Sequence, residues 1–146
     1  MKTKKGISPV ITTVILVAVG IAIAIAVALW MSGLVGIFTR FEKVEVRNSY
    51  ASKPSGFEIV ISFINTGSAD TTIDSVLLNG WLYTDWGATL NDTLPLSLPV
   101  GNLKGLKVDF ADGATSNGAK LVSGVTVNVD LHSTGGKDYS TAVTLP

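Results

Sequence analysis

The chain has 146 residues, 47% of them hydrophobic, with 11 basic and 11 acidic side chains and a formal net charge of +0. Lys2, Lys4 and Lys5 precede a long uncharged run, and the remainder carries a net of about −3 with no basic patch, which argues against a nucleic-acid partner. With no cysteine, disulfides and thiolate metal sites are excluded, so the compartment has to be read from targeting signals.

The first forty residues differ sharply from the rest. The length therefore divides into an N-terminal appendage and one domain of about a hundred residues. No residue from Gly6 to Thr39 is charged, and VITTVILVAVGIAIAIAVALW is almost wholly Val, Ile, Ala and Leu. A bilayer core is crossed by roughly 20 such residues as a helix. The twelve Val, Ile and Leu between Val10 and Leu29 favour insertion by about 4–7 kcal/mol in total. The alternation at residues 21–26 looks locally like a strand, but a lone strand in lipid leaves its backbone unpaired, so the run is expected as one helix over residues 7–39. Ser8 as cap and Pro9 at the first helical position mark its start.

The run is about twice the length of an ordinary secretory signal, which has an apolar region of roughly 7–15 residues and a cleavage site behind it, so ordinary cleavage is disfavoured. The lysines before it and the mixed charges of Arg40, Glu42, Lys43 and Glu45 after it place Met1 in the cytoplasm and the chain beyond Phe41 outside. A plain single-pass anchor and a polymerising helix fit this composition equally well. Small residues at four-residue spacing, Ala18, Ala22 and Ala26 on one side and Ser32 with Gly36 on another, permit close helix packing but arise easily in an Ala-rich helix.

The run KKGISPVITTVILVAV resembles the N-terminus of archaeal type IV pilins, whose precursors carry a short basic leader ending in Gly before a Ser-Pro-Val-Ile type start to the apolar helix. The resemblance covers about residues 1–38. It implies a leader of residues 1–6, cut by a membrane prepilin peptidase between Gly6 and Ile7, with Lys4 and Lys5 as further recognition residues. The helix would then be retained and polymerised with identical subunits by pilus assembly machinery, moving the protein from the membrane to an extracellular filament. Ile11 stands where bacterial type IV pilins carry the glutamate of the fifth mature residue, as is general among archaeal pilins. The Gly-Ile-Gly-Thr type start of archaellins is missing, which favours an adhesive surface pilus.

From residue 40 to 146 the pattern changes to short alternating runs separated by Gly, Asn, Asp and Pro, the signature of an all-β sandwich or barrel. FEIVISF directs Phe57, Ile59, Ile61 and Phe63 to one face, and VTVNVDL directs Val125, Val127, Val129 and Leu131 inward. Further strands are expected within residues 41–50, 73–83, 106–110 and 139–145, with turns at Asn65-Thr66-Gly67, Asn79-Gly80 and Gly135-Gly136. About seven strands predict an immunoglobulin-like sandwich, so the fold class expected is one long hydrophobic α-helix plus an all-β domain. The helix is expected to pass almost directly into the first strand.

The single histidine, His132, continues the polar side of its strand and reads as a surface residue. No His cluster, nucleophile elbow or phosphate loop is present, so the chain is not expected to be an enzyme or to carry a cofactor. Asp109, Asp112 and Asn117 in DFADGATSNG lack the spacing of a calcium loop and suit turns. Asn91-Asp92-Thr93 is the one glycosylation sequon, open to modification if the domain lies outside the cell. Trp81, Tyr83 and Trp86 are candidates for an exposed interface patch or for core and subunit packing. Two other readings stay open beside the pilin: a non-polymerising anchored binding domain, and a minor pseudopilin-like or archaellin-like component.

Overall fold

A computed structural model describes residues 6, 8–33 and 39–146, and the chain forms two compact units, residues 1–40 and 41–146. Lys4, Lys5, Ile7 and Gly36 lie outside the described residues.

In the first unit the apolar run folds as α1, Pro9–Met31, a helix of 23 residues. Ser8 is its N-cap residue with extended backbone and Pro9 opens the first turn. The Ser8 side chain makes no cap hydrogen bond, contrary to expectation. Its carbonyl instead accepts from the amides of Ile11 at 3.0 Å and Thr12 at 3.2 Å. The expected span to residue 39 is shortened at the C-terminal end. Ser32 is the C-cap, and Gly33 takes φ 76°, a left-handed backbone that glycine enters without steric cost.

The second unit contains β1 (Val44–Ser52), β2 (Phe57–Asn65), β3 (Thr71–Leu78), β4 (Trp81–Leu82), a 3-10 turn (Tyr83–Trp86), β5 (Thr89–Leu90), β6 (Leu96–Leu98), β7 (Leu103–Phe110), β8 (Thr115–Ser116), β9 (Ala119–Lys120), β10 (Thr126–Ser133) and β11 (Asp138–Thr144). One sheet runs β1-β2-β7-β5. A second runs β11-β10-β3-β4, with β6 also on β3, and β8-β9 form a separate hairpin. Every pairing is antiparallel. The expected alternation holds closely in β2, where Phe57, Ile59, Ile61 and Phe63 are buried, and in β10, where Val127, Val129 and Leu131 are. Val125 precedes β10 and is only half-buried.

These side chains join Leu106 and Val108 of β7 and Ile73, Val76 and Leu78 of β3 in a single core cluster that draws on both large sheets. Each fully buried Val, Ile, Leu or Phe contributes roughly 1.5–3 kcal/mol, so the domain closes its own core. Asn79 (φ 51°) and Gly80 (φ 82°) form the turn between β3 and β4. Asn117 (φ 50°) and Gly118 (φ 83°) do the same between β8 and β9. Two successive left-handed residues match the right-handed twist of a hairpin.

Candidate functional site

The functional element that the sequence points to is α1, and its defining property is that none of its residues is buried within the protein. Its mean hydropathy is 2.9, and large apolar side chains emerge on every side, from Val10 and Ile11 to Trp30 and Met31. A helix apolar all round has to find an apolar environment outside its own fold. Its few polar side chains suit such an environment. Thr13 Oγ1 donates to Val10 O at 2.8 Å, Thr12 Oγ1 reaches Ser8 O at 3.4 Å, and Ser32 Oγ donates to Leu29 O at 2.9 Å. These hydroxyls therefore need no partner from lipid. By length and composition α1 can cross a membrane, as an anchor or as a signal sequence.

Of the expected processing residues Lys4, Lys5, Gly6 and Ile7, only Gly6 is described. It is exposed, and a Cβ added there meets nothing within 4 Å. The fold itself therefore imposes no need for glycine at this position.

Where the β unit begins, its chain is pinned from two sides. Ser68 N–H and Ala69 N–H donate to Phe41 O at 2.9 and 3.2 Å, and Thr66 N–H and Gly67 N–H donate to Lys43 O at 2.8 and 3.2 Å. Phe41 N–H donates to Ser68 Oγ at 3.0 Å. The 65–69 turn that supplies these groups is organised by Asn65, which is fully buried. Asn65 Nδ2 donates to Ala69 O at 2.8 Å and Leu98 O at 3.0 Å, while its Oδ1 accepts from Gly67 N–H at 2.9 Å. From the other sheet, Lys137 Nζ donates to Glu42 O at 2.8 Å and Tyr139 Oη to Glu42 Oε1 at 3.2 Å. Burial pushes the Glu42 carboxyl upward. The neighbouring hydroxyls of Ser133, Thr71 and Tyr139, with the Lys137 charge, outweigh it and hold the carboxyl below the ordinary carboxylate range. The sequence signals only part of this arrangement: an Asn at a strand end two residues before a Gly marks an Asx turn, whereas the burial of Asn65 comes from the strands around it.

The three candidate aromatics separate. Trp86 is 3% exposed and donates its indole N–H to Leu78 O at 3.0 Å, so it is a core residue and not an interface one. Tyr83 packs half-buried against the core, and Trp81 stands 45% exposed on β4. Asn91 is exposed beside β5, its Oδ1 accepting from Lys107 N–H at 2.7 Å. His132 Nδ1 lies 2.6 Å from Asp138 Oδ1 on the outer face of β10 and β11. The Asp138 hydrogen bond raises the His132 pKa, partial desolvation opposes this, and the Asp138 and Asp74 charges add to it. Asp112 is paired with Lys53 at 2.7 Å and Asn117 shapes its turn. Among the described residues no group of three or more His, Cys, Asp or Glu could hold a metal ion. No protein-family model matches the chain, and no curated protein aligns significantly with it.

Proposed function

We propose that this chain is the precursor of an archaeal type IV pilin, a structural subunit that polymerises through its N-terminal helix into an extracellular filament for surface or cell adhesion. The observation that carries the reading is the contrast between the two units. The β domain satisfies its own core, while the 23 residues of α1 bury none of theirs. At a rise of 1.5 Å per residue α1 is about 35 Å long, enough to cross a hydrocarbon core of about 30 Å and then to touch several copies of itself along a filament axis. Assembly exchanges lipid contact for helix contact, which has to be won by close packing and not by a hydrophobic gain.

The leader resemblance supports cutting by a prepilin peptidase after Gly6, which frees the mature helix for that exchange. The strand order supports an immunoglobulin-like outer domain. The order β1-β2-β7-β5 parallels the A-B-E-D sheet of that fold, and β11-β10-β3 parallels G-F-C, with β4 in the place of an added edge strand. In the filament these domains form the sheath, and the exposed Asn91 sequon is the site proposed to carry a glycan.

Intact mass of the protein in filaments sheared from its native cells, beside the same gene expressed without prepilin peptidase, tests the reading. Loss of residues 1–6 in sheared material, and only where the peptidase is present, is the expected result. Extra mass on the Asn91 peptide identifies the glycan. A full-length chain that stays with the membrane and enters no filament overturns the reading in favour of an anchored binding domain, while a processed chain present only in traces favours a minor pseudopilin-like component.

A further inference from the structure

Among the described residues outside α1, the large apolar side chains that stand exposed are Phe41, Tyr50, Trp81, Leu82, Val100 and Leu103. Three of them share one end of the β domain. Phe41 is bonded to Ser68 and Ala69, the Val100 N–H donates to Asp70 Oδ1 at 2.9 Å, and Leu103 pairs across the ladder with Ile64, next to Asn65. Their exposures are 53%, 46% and 61%. This is also the end at which the chain enters from α1, separated from Met31 by residues 32–40 alone. Such a tether keeps Phe41 within about 35 Å of the helix end.

The carboxylates of the same end are all engaged within the domain: Glu42 with Tyr139, Glu45 with Lys43, Asp70 with the Val100 amide, and Asp138 with His132. Approach to an apolar layer there strands no lone carboxylate among these. Trp30, in the last turn of α1 and 71% exposed, has the amphipathic character that places aromatic rings at the headgroup level.

We propose that, before any assembly, the entry end of the β domain rests on the outer surface of the bilayer, with Phe41, Val100 and Leu103 at the boundary between headgroups and acyl chains. The domain is then held down on the lipid by its own apolar end as well as by its tether. The inference requires that α1 enter a bilayer and does not depend on polymerisation, so it stands or falls separately from the pilin reading.

The lack of native cysteine allows clean single-site labelling of the full chain. Asn102→Cys at the entry end, Ala119→Cys on β9 at the opposite end and Ala22→Cys within α1 each carry a fluorophore. The probe is a phosphatidylcholine nanodisc, one chain per disc, with a nitroxide quencher at the lipid headgroup or deep in the acyl region. The expected result is strong headgroup quenching at residue 102, none at 119, and deep quenching at 22. Adding Phe41→Ser with Leu103→Ser should lower the quenching at 102 to the level at 119 while the far-UV circular dichroism stays native. Residue 102 as unquenched as 119, with residue 22 inserted, overturns the docking and leaves this end for contact between copies. A residue 22 accessible to water overturns it together with membrane insertion.

Discussion

Replacing Asn65 by alanine removes the groups that shape the turn holding the entry segment. The substitution strands the carbonyls of Ala69 and Leu98 and the N–H of Gly67, at a position with no exposure to water. At about 1 kcal/mol for each net hydrogen bond, and more where the orphaned group stays dry, the loss is about 3–5 kcal/mol. Against a typical domain stability of roughly 5–15 kcal/mol that is a large fraction. For a domain of this size it corresponds to a fall in Tm of roughly 15–30 °C. Asn65→Asp keeps an acceptor for Gly67 N–H but loses the donor and buries a charge against two carbonyls. Its carboxyl pKa is then raised in the fold, so stability is present below the unfolded value and lost as the pH rises through the folded one. Denaturant unfolding of the full chain in detergent, followed by far-UV circular dichroism, measures both. An alanine variant within about 1 kcal/mol of the parent, or an aspartate variant indifferent to pH, would refute the argument that this side chain organises the turn.

The remaining predictions are independent of it. Trp86→Ala should cost about 3–5 kcal/mol through the cavity and the lost bond to Leu78 O, whereas Trp81→Ala should stay within about 0.5 kcal/mol, both read by the same unfolding assay. A Cβ at Gly67 would lie 2.5 Å from Phe41 O and 2.7 Å from Lys43 N, so Gly67→Ala should cost about 1–3 kcal/mol and speed proteolysis at residues 40–43. Gly105→Ala, where nothing lies within 4 Å, should be neutral or slightly stabilising. His132 should titrate above the ordinary value of about 6.5, seen in its ring proton shifts, and Asp138→Asn should bring it down. Because that pKa is raised on folding, the contribution of the pair is complete below the unfolded pKa and fades as the pH climbs through the folded one.

Periodicity carried the parts of this fold that repeat. The uncharged run announces α1, and strict alternation over Phe57 to Phe63 and Val127 to Leu131 announces β2 and β10, because half-buried strands expose one face in two. Where a local signal competes with context, the reading loses resolution. The helix stops at Met31 because Ser32 and Gly33 form a cap inside a run that is otherwise uniformly apolar. The expected seven or so strands become eleven segments, since β4, β5, β8 and β9 are two residues each and hold too little sequence to show a period. The Asn117-Gly118 turn carries the same dipeptide signal as Asn79-Gly80, but the two-residue strands beside it offer no alternation to mark a hairpin. Trp81 and Trp86 look alike in sequence, and it is the intervening 3-10 turn that sends one into the core and leaves the other in solvent.

The pinned entry segment also has a mechanical meaning. A pull arriving along the chain at Phe41 does not reach β1 until the bonds from Ser68 and Ala69 to Phe41 O, from Tyr139 and Lys137 to Glu42, and from Thr66 and Gly67 to Lys43 O have been loaded. Those partners belong to loops and strands of both large sheets, so tension is divided between the two layers of the domain instead of peeling one strand from its edge. Tension on the chain would thus meet resistance at the first few residues of the β domain.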